Sequence, residues 1–449
     1  MFYISRIFVH LLPTCSIEEP IFSIQDVYTH PTVRALSNWL ACRTKEKKRF
    51  IPENCEAYDP LLKRNHISNA FCPVYRALGN VFLTGVTGFL GAHILNSLIK
   101  DEKGKIYCLV RGRNYAEAEK YFKERMTWYF GDQFEGFMDN RVILIPGDVT
   151  QAHLFDHLPE DVDTVIHAAA NVKHYGNYDE FETINVNGTQ NIITYSRKIH
   201  ARLIHISTIS VSGNSLAEDN DVYHSQESKT FSESDLYIGQ QLDNVYLRSK
   251  FEAERCVLDA IGEGLDAFIV RIGNLTNRST DMVFQPNFKD NAFLKRIKVI
   301  LELGMIPDYL LSAEVEFTPV DLAAEGIIRM AQYASEQTVF HLCNDRPLSF
   351  ERMTAFIRDL GLKMEIVDGH LFAETIKKTM KSQRTEYIYE TLQHDLDSQG
   401  ILMYQTNIHP DTAFSHWFLE KTGFAWTETD FRYFSEYVRY FRKLGYFNI

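Results

Sequence analysis

Residues 81–98 read VFLTGVTGFLGAHILNSL. A short apolar run ends in glycines at 85, 88 and 91, and Ile94, Leu95 and Leu98 follow at helical spacing. A strand, a glycine-rich turn and a helix in this order make a phosphate cradle. Without Cβ atoms the backbone N–H groups approach a pyrophosphate closely, and the helix N-terminus adds its positive dipole end. Gly85, Thr87, Gly88, Phe89, Leu90 and Gly91 are therefore the expected phosphate loop of a dinucleotide.

Around this unit the same pattern repeats. Apolar runs at 81–85, 105–112, 141–148, 163–170, 202–210 and 266–274 are separated by amphipathic stretches, as in βαβ units whose parallel sheet is covered on both faces. The expected fold is α/β, a Rossmann-like doubly wound parallel sheet of six strands over residues 78–280. Residues 281–449 are assigned to a smaller, mainly helical C-terminal substrate lobe, interrupted by VEFTPVD (315–321) and VFHLCN (339–344). Its aromatic tail, FRYFSEYVRYFRKLGYF, reads as helix core. Residues 46–77 read as a linker, and residues 1–45 as a helical segment of different composition.

The 449 residues carry 47 basic and 59 acidic side chains, a net charge of -12, which discourages nucleic acid and anionic membrane surfaces as partners. A hydrophobic fraction of 45% is ordinary for a globular chain. The seven cysteines include no C-x-x-C pair, so neither a disulfide framework nor a metal ribbon is expected. No apolar stretch approaches the ~20 residues of a membrane span, and the N-terminal MFYISRIFVHLLPTC lacks a cleavage site. A cytoplasmic protein is expected.

About 20 residues beyond Gly91, at the tip of the second strand, such a fold contacts the adenosine ribose. Arg111 stands there, then Gly112 and Arg113, with no acid beside them. A guanidinium matches a 2'-phosphate bidentately, whereas an acid binds the ribose hydroxyls of NAD. Arg111 and Arg113 thus point to NADPH, the alternative being solvated surface arginines. Asp148 and Val149 follow the third run in GDVT, where Asp148 either accepts from the adenine amino group or caps a turn. Ala168 and Ala169 keep the end of the fourth run small beside a cofactor, and His167 reads as a satisfied core histidine. Asn274, beyond the sixth run, belongs to the same cofactor-facing set.

Tyr246 and Lys250 share one face of the helix between the fifth and sixth runs. The fifth run ends in Ser207 and Thr208, so a hydroxyl, a phenol and an ammonium converge at the edge where a nicotinamide would lie. Hydride addition to a carbonyl puts negative charge on its oxygen, and donors aimed there stabilise the transition state. Thr208 and Tyr246 are the expected donors. Lys250 is expected to lower the phenol pKa and to hold the nicotinamide ribose. The alternative is an ordinary surface pair on an amphipathic helix.

Together these residues resemble the extended short-chain dehydrogenase/reductase superfamily. VFLTGVTGFLGAHIL, YCLVRGR, GDVT, VIHAAANVKHYGNYDEFETINVNGTQNI, HISTISVSG, SDLYIGQ, NVYLRSKFEAE and VEFTPVDLAA are similar to the terminal thioester reductase domains of nonribosomal peptide synthetases. The resemblance implies NADPH-dependent reduction of an acyl or peptidyl thioester on a phosphopantetheine arm, releasing an aldehyde that some members reduce on to the alcohol. It also implies a triad of Thr208, Tyr246 and Lys250, a 2'-phosphate contact at Arg111, and a supporting role for Asn185 in the active-site hydrogen-bond network. Reductases of the carboxylic acid, aminoadipate and fatty-acyl type are close alternatives. A nucleotide-sugar epimerase or dehydratase is a remoter one, since it usually places an acid near position 111. FSIQDVYTHPTVRALSNWL resembles the last helices of a carrier domain, but no glycine precedes Gly79, so the usual arm-bearing Gly-Gly-x-Ser motif is missing. The implied partner is a phosphopantetheinylated carrier supplied by another domain or chain, and SDLYIGQ is the implied flap or carrier-docking element.

Overall fold

The computed structural model describes residues 50–449 except 69, 102, 132–140, 174–175, 214–215, 217–227, 380–387, 389–390 and 393–407. The carrier-like segment 1–45 lies outside the described residues. Seven parallel strands form the central sheet: β1 (Val81–Thr84), β2 (Ile106–Val110), β3 (Val142–Pro146), β4 (Thr164–His167), β5 (Arg202–Thr208), β6 (Ala267–Ile272) and β7 (Val339–Leu342). Their order across the sheet is β7-β6-β5-β4-β1-β2-β3. The direction of winding reverses between β1 and β4, which opens a crevice beyond their carboxyl ends. Gly85 follows one of these strands and Ala168 the other, so the phosphate loop stands at the switch point.

Every residue of β1, β2, β4, β6 and β7 is buried, as strands covered on both faces must be. On one face, α1 (Phe89–Asp101) and α2 (Tyr115–Phe130) pack Ile94, Leu98, Phe122 and Met126 against the sheet. On the other, α3 (Gly188–Lys198) and α4 (Val245–Gly262) bury Ile192, Phe251, Val257 and Leu258. A second core gathers α5 (Ala292–Leu303), Phe317, part of α7 (Phe350–Asp359), α8 (Gly369–Thr379) and the aromatic helix α10 (Phe431–Lys443). Tyr433, Phe434, Tyr437 and Phe441 of α10 are buried there, as the helix-core reading of the tail expected.

The sequence pattern gives six strands and ends the sheet domain at residue 280, and here the structure differs. The seventh strand, β7, pairs in parallel with β6 and comes from the VFHLCN run. Helices α6 (Val320–Tyr333) and α9 (Ala413–Lys421) also join the sheet's core, through Ile327, Ile328, Phe414 and Phe418. The chain after 280 thus crosses between the two cores several times. A four-residue strand followed directly by sequence of the other core offers no periodicity that would betray this.

Candidate active site

The phosphate loop is built by backbone packed on backbone. Gly85 has φ +74, and a Cβ on it would lie 2.6 Å from the Ala168 carbonyl group. A Cβ on Gly91 would stand 2.1 Å from the Gly85 oxygen. Gly88 differs: a Cβ there meets a single protein atom within 4 Å, the Gly85 oxygen at 3.1 Å, and the residue is exposed. Two glycines are required by the turn itself, whereas the third keeps a surface clear at the start of α1. These features fit a pyrophosphate, with Thr87, Gly88, Phe89 and Leu90 around it. The Thr84 hydroxyl receives the Ala169 N–H at 3.2 Å and contacts His167 Nδ1 at 2.8 Å, so β1 and β4 are pinned beneath the loop. His167 also meets Thr189 Oγ1 at 3.2 Å and is a buried, satisfied core histidine that burial drives down to about 3.

At the far side of the switch point, Arg111 Nε lies 3.4 Å from Asp148 Oδ2, joining the tips of β2 and β3. Asp148 meanwhile accepts from the Thr150 N–H and hydroxyl, a local turn that fixes its carboxylate and leads into buried Val149. The Arg111 side chain is 68% exposed beyond its ion pair with Asp148, open to a ligand. Arg113 is committed elsewhere: its guanidinium pairs with Glu117 one turn into α2. Of the two arginines, it is Arg111 whose ion pair reaches the loop that follows β3. Asn274 follows β6 and gives its N–H to Glu316 at 3.1–3.2 Å.

Thr208 ends β5, and Tyr246 and Lys250 stand on the first two turns of α4 beside it. The side chain of Asn244 caps α4 by accepting the Tyr246 and Leu247 N–H groups, which begins the helix at Val245, one residue before the phenol. The Thr208 hydroxyl, at the end of β5, hydrogen-bonds the phenol of Tyr246. Tyr246 is only partly buried as a residue, yet the surrounding protein pushes its phenol up to about 12, with Thr208 opposing the shift. The sequence reading expected the phenol to be lowered by Lys250, and burial reverses that balance. Lys250 is 3% exposed and donates to the Ile206 carbonyl at 2.8 Å and to His205 Nε2 at 3.2 Å. Burial lowers its ammonium to about 8, against the attraction of Glu254. Asn185 sits in a π-turn, Glu182–Asn187, between the end of β4 and α3. It receives the Asn171 N–H at 2.7 Å and donates to the Asn171 carbonyl at 3.0 Å and to Ser249 Oγ at 2.9 Å.

A family model described as Male sterility protein, for an NAD-binding domain, matches residues 83–327. The structure of a thiolation-reductase di-domain from an archaeal nonribosomal peptide synthetase is 32% identical, with TM-score 0.78, over 99% of this chain and 91% of that one. The chain belongs to the nonribosomal peptide synthetase reductase-domain family. A crystal structure of the aureusimine biosynthetic cluster reductase domain is 30% identical, with TM-score 0.72, over 88% of this chain and 99% of that one. A linear gramicidin synthase protein of Brevibacillus parabrevis is 30% identical over 67% of this chain, which spans 6% of that protein's length.

In this reductase domain two further features surround α4, and sequence reasoning missed both. The chain entering at Phe50 stacks on α4: the Arg248 guanidinium lies between the Phe50 ring at 4.3 Å and the Tyr178 ring at 4.1 Å. Asp243 receives the Phe50 N–H, Arg255 reaches the Glu53 carbonyl and the Tyr58 hydroxyl donates to Asp259, so residues 50–58 run along the helix. The second feature is a buried polar column under the segment that holds SDLYIGQ. Arg271 pairs with Glu254, both fully buried, and donates to the Asp235 carbonyl and to His341 Nε2. Gln240, also buried, ties that segment to the Val211 and Leu236 carbonyls. Residues 231–240 are thus fastened to the sheet domain. Aromatic, arginine and histidine residues scattered in sequence give no motif for either feature. Among the described residues, no cluster of His, Cys, Asp or Glu is placed to hold a metal, and no helix is long and apolar enough to cross a membrane.

Proposed function

We propose that this chain is an NADPH-dependent thioester reductase that releases a carrier-bound acyl or peptidyl group as an aldehyde. The observation carrying this reading is the convergence of Thr208, Tyr246 and Lys250 at the carboxyl edge of β5, beside a glycine loop at the switch point. The nicotinamide supplies a hydride. Thr208 and Tyr246 face the substrate oxygen and stabilise the negative charge that grows as the thioester carbonyl is reduced. A phenol held near 12 is a competent donor throughout neutral pH, and its proton goes to that oxygen. Collapse of the resulting hemithioacetal breaks the C–S bond, freeing the aldehyde and returning a thiol to the carrier arm. Lys250 orients the ribose and the phenol, Arg111 receives the 2'-phosphate, and Asp148 stands beside the adenine.

The carrier is the partner that this chemistry requires, since a thioester on a flexible arm must be delivered to the cleft. Incubation with NADPH and an acyl group loaded on a carrier should consume the nicotinamide absorbance and yield an aldehyde by mass spectrometry. Release of the free acid without NADPH consumption would overturn the reading. An alcohol product would show that the same site accepts the aldehyde for a second hydride transfer.

A further inference from the structure

We propose that His205 is a positioning residue for Lys250, a neutral acceptor whose Nε2 lone pair holds the ammonium in the orientation that hydride transfer requires. This rests on the reading of Lys250 as the group that faces the ribose and the phenol.

His205 lies in the middle of β5, 1% exposed, with its Nε2 3.2 Å from Lys250 Nζ. An ammonium offers donors only, so at this contact Nε2 must present a lone pair, which places the ring hydrogen on Nδ1. That nitrogen is buried and has no hydrogen-bonding partner among the described residues. Leaving a buried N–H unsatisfied is unfavourable, and the fold tolerates it at the one ring whose other nitrogen meets Lys250. The neighbouring His167 shows the contrast. Its ring lies 5.4 Å from that of His205, and both its nitrogens meet threonine hydroxyls.

Geometry makes the contact consequential. Two of the three Nζ donors go to Ile206 O and His205 Nε2, both on β5. Their directions fix the third, so the ammonium is aimed rather than left to rotate about its last bond. His205 and, behind it, His167 come from β5 and β4, while Tyr246 and Glu254 lie one turn away on either side along α4. Glu254 is itself bound by Arg271 of β6. Among the described residues no carboxylate is in direct contact with Lys250: Glu254 attracts it from one turn away, and its hydrogen bonds go to a carbonyl and a neutral imidazole. Burial and the Lys250 charge both keep His205 neutral by lowering its pKa well below the usual histidine range.

The sign of the effect follows. Acceptance by Nε2 favours charged Lys250, so removing it lowers the Lys250 pKa below about 8 and brings the alkaline loss of function to lower pH. A hydrogen bond to a charged group corresponds to a shift of about one pH unit or more. The test compares His205→Leu, His205→Met and His205→Gln in the full chain. The readouts are the NADPH dissociation constant by fluorescence titration from acid to alkaline pH, and the pH profile of single-turnover reduction. Leu and Met should move the alkaline limb of both profiles down by about one unit. Gln, whose amide oxygen can accept, should stay at the wild-type midpoint. Thermal melts identify any variant that fails to fold, and either Leu or Met alone suffices for the comparison. Wild-type midpoints in a folded Leu or Met variant overturn the proposal, as does a Gln variant that shifts as far as they do. Lys250→Ala separates the two levels: unchanged cofactor affinity and rate in that variant overturn the assigned role of Lys250 itself.

Discussion

Asn185 Nδ2 stands 2.9 Å from Ser249 Oγ, one residue before Lys250, while the same side chain clasps Asn171 through both backbone atoms. A single buried amide thus joins the end of β4 to the helix that carries the phenol and the ammonium. Asn185→Ala leaves the Asn171 N–H without its acceptor, which costs about 1–3 kcal/mol. Urea unfolding should show that loss, and turnover should fall further than stability explains, because the helix face loses its register with the loop.

Tyr246→Phe keeps the ring and removes the donor bonded by Thr208. Loss of one oxyanion donor reduces the rate by about 10² to 10³, with a larger loss where the same group delivers the proton. Thr208→Val should lose less. Single-turnover reduction of an acyl thioester at saturating cofactor measures both, and near wild-type turnover in Tyr246→Phe contradicts the assigned mechanism.

Arg111 determines cofactor choice if its exposed guanidinium takes the 2'-phosphate. A hydrogen bond to a charged group contributes about 1.5–3 kcal/mol, so Arg111→Ala should reduce the NADPH-over-NADH preference in kcat/KM by about 10- to 100-fold. Arg113, engaged with Glu117, should matter less when replaced by Ala. The reverse ranking would move the contact to Arg113.

Gly91→Ala drives a Cβ to 2.1 Å from the Gly85 oxygen, so the first turn of α1 and the loop cannot both keep their places. NADPH affinity should collapse and the melting temperature fall. Gly88→Ala meets one atom at 3.1 Å and should fold normally, losing cofactor affinity without losing stability. Calorimetry paired with cofactor titration separates the two variants.

Arg271→Met leaves Glu254 buried without its partner. Breaking a buried pair from one side costs about 3–5 kcal/mol, and this residue also holds the Asp235 carbonyl and His341. Denaturant unfolding should show a loss of that size. The double variant Arg271→Met with Glu254→Leu should recover part of it, since no charge then remains unpaired.

How much of this was legible in the sequence depends on the range of the interactions. The phosphate loop, Arg111 and the Tyr246–Lys250 pair follow from spacing within one βα unit or one helix turn, and the structure brings them to one edge. β7 was not legible as a seventh strand, because its four residues acquire meaning only beside β6. The raised phenol of Tyr246 was missed because burial is a sum over many distant residues, whereas the effect expected of Lys250 is local. His205 was hidden for a related reason: in HISTIS it is one more strand residue until α4 lays Lys250 across it.

The stacking of Phe50 on Arg248 bears on how a substrate is delivered. Residue 50 is fastened beside the turn of α4 that holds Tyr246, so any domain joined upstream of it is tethered from that turn. For a tethered group, effective concentration falls with the length of free chain between anchor and target. Moving the anchor resets that length. Unfastening Phe50 would lengthen the leash by the residues that now follow the helix, diluting an acyl group delivered in cis while leaving one delivered in trans unchanged.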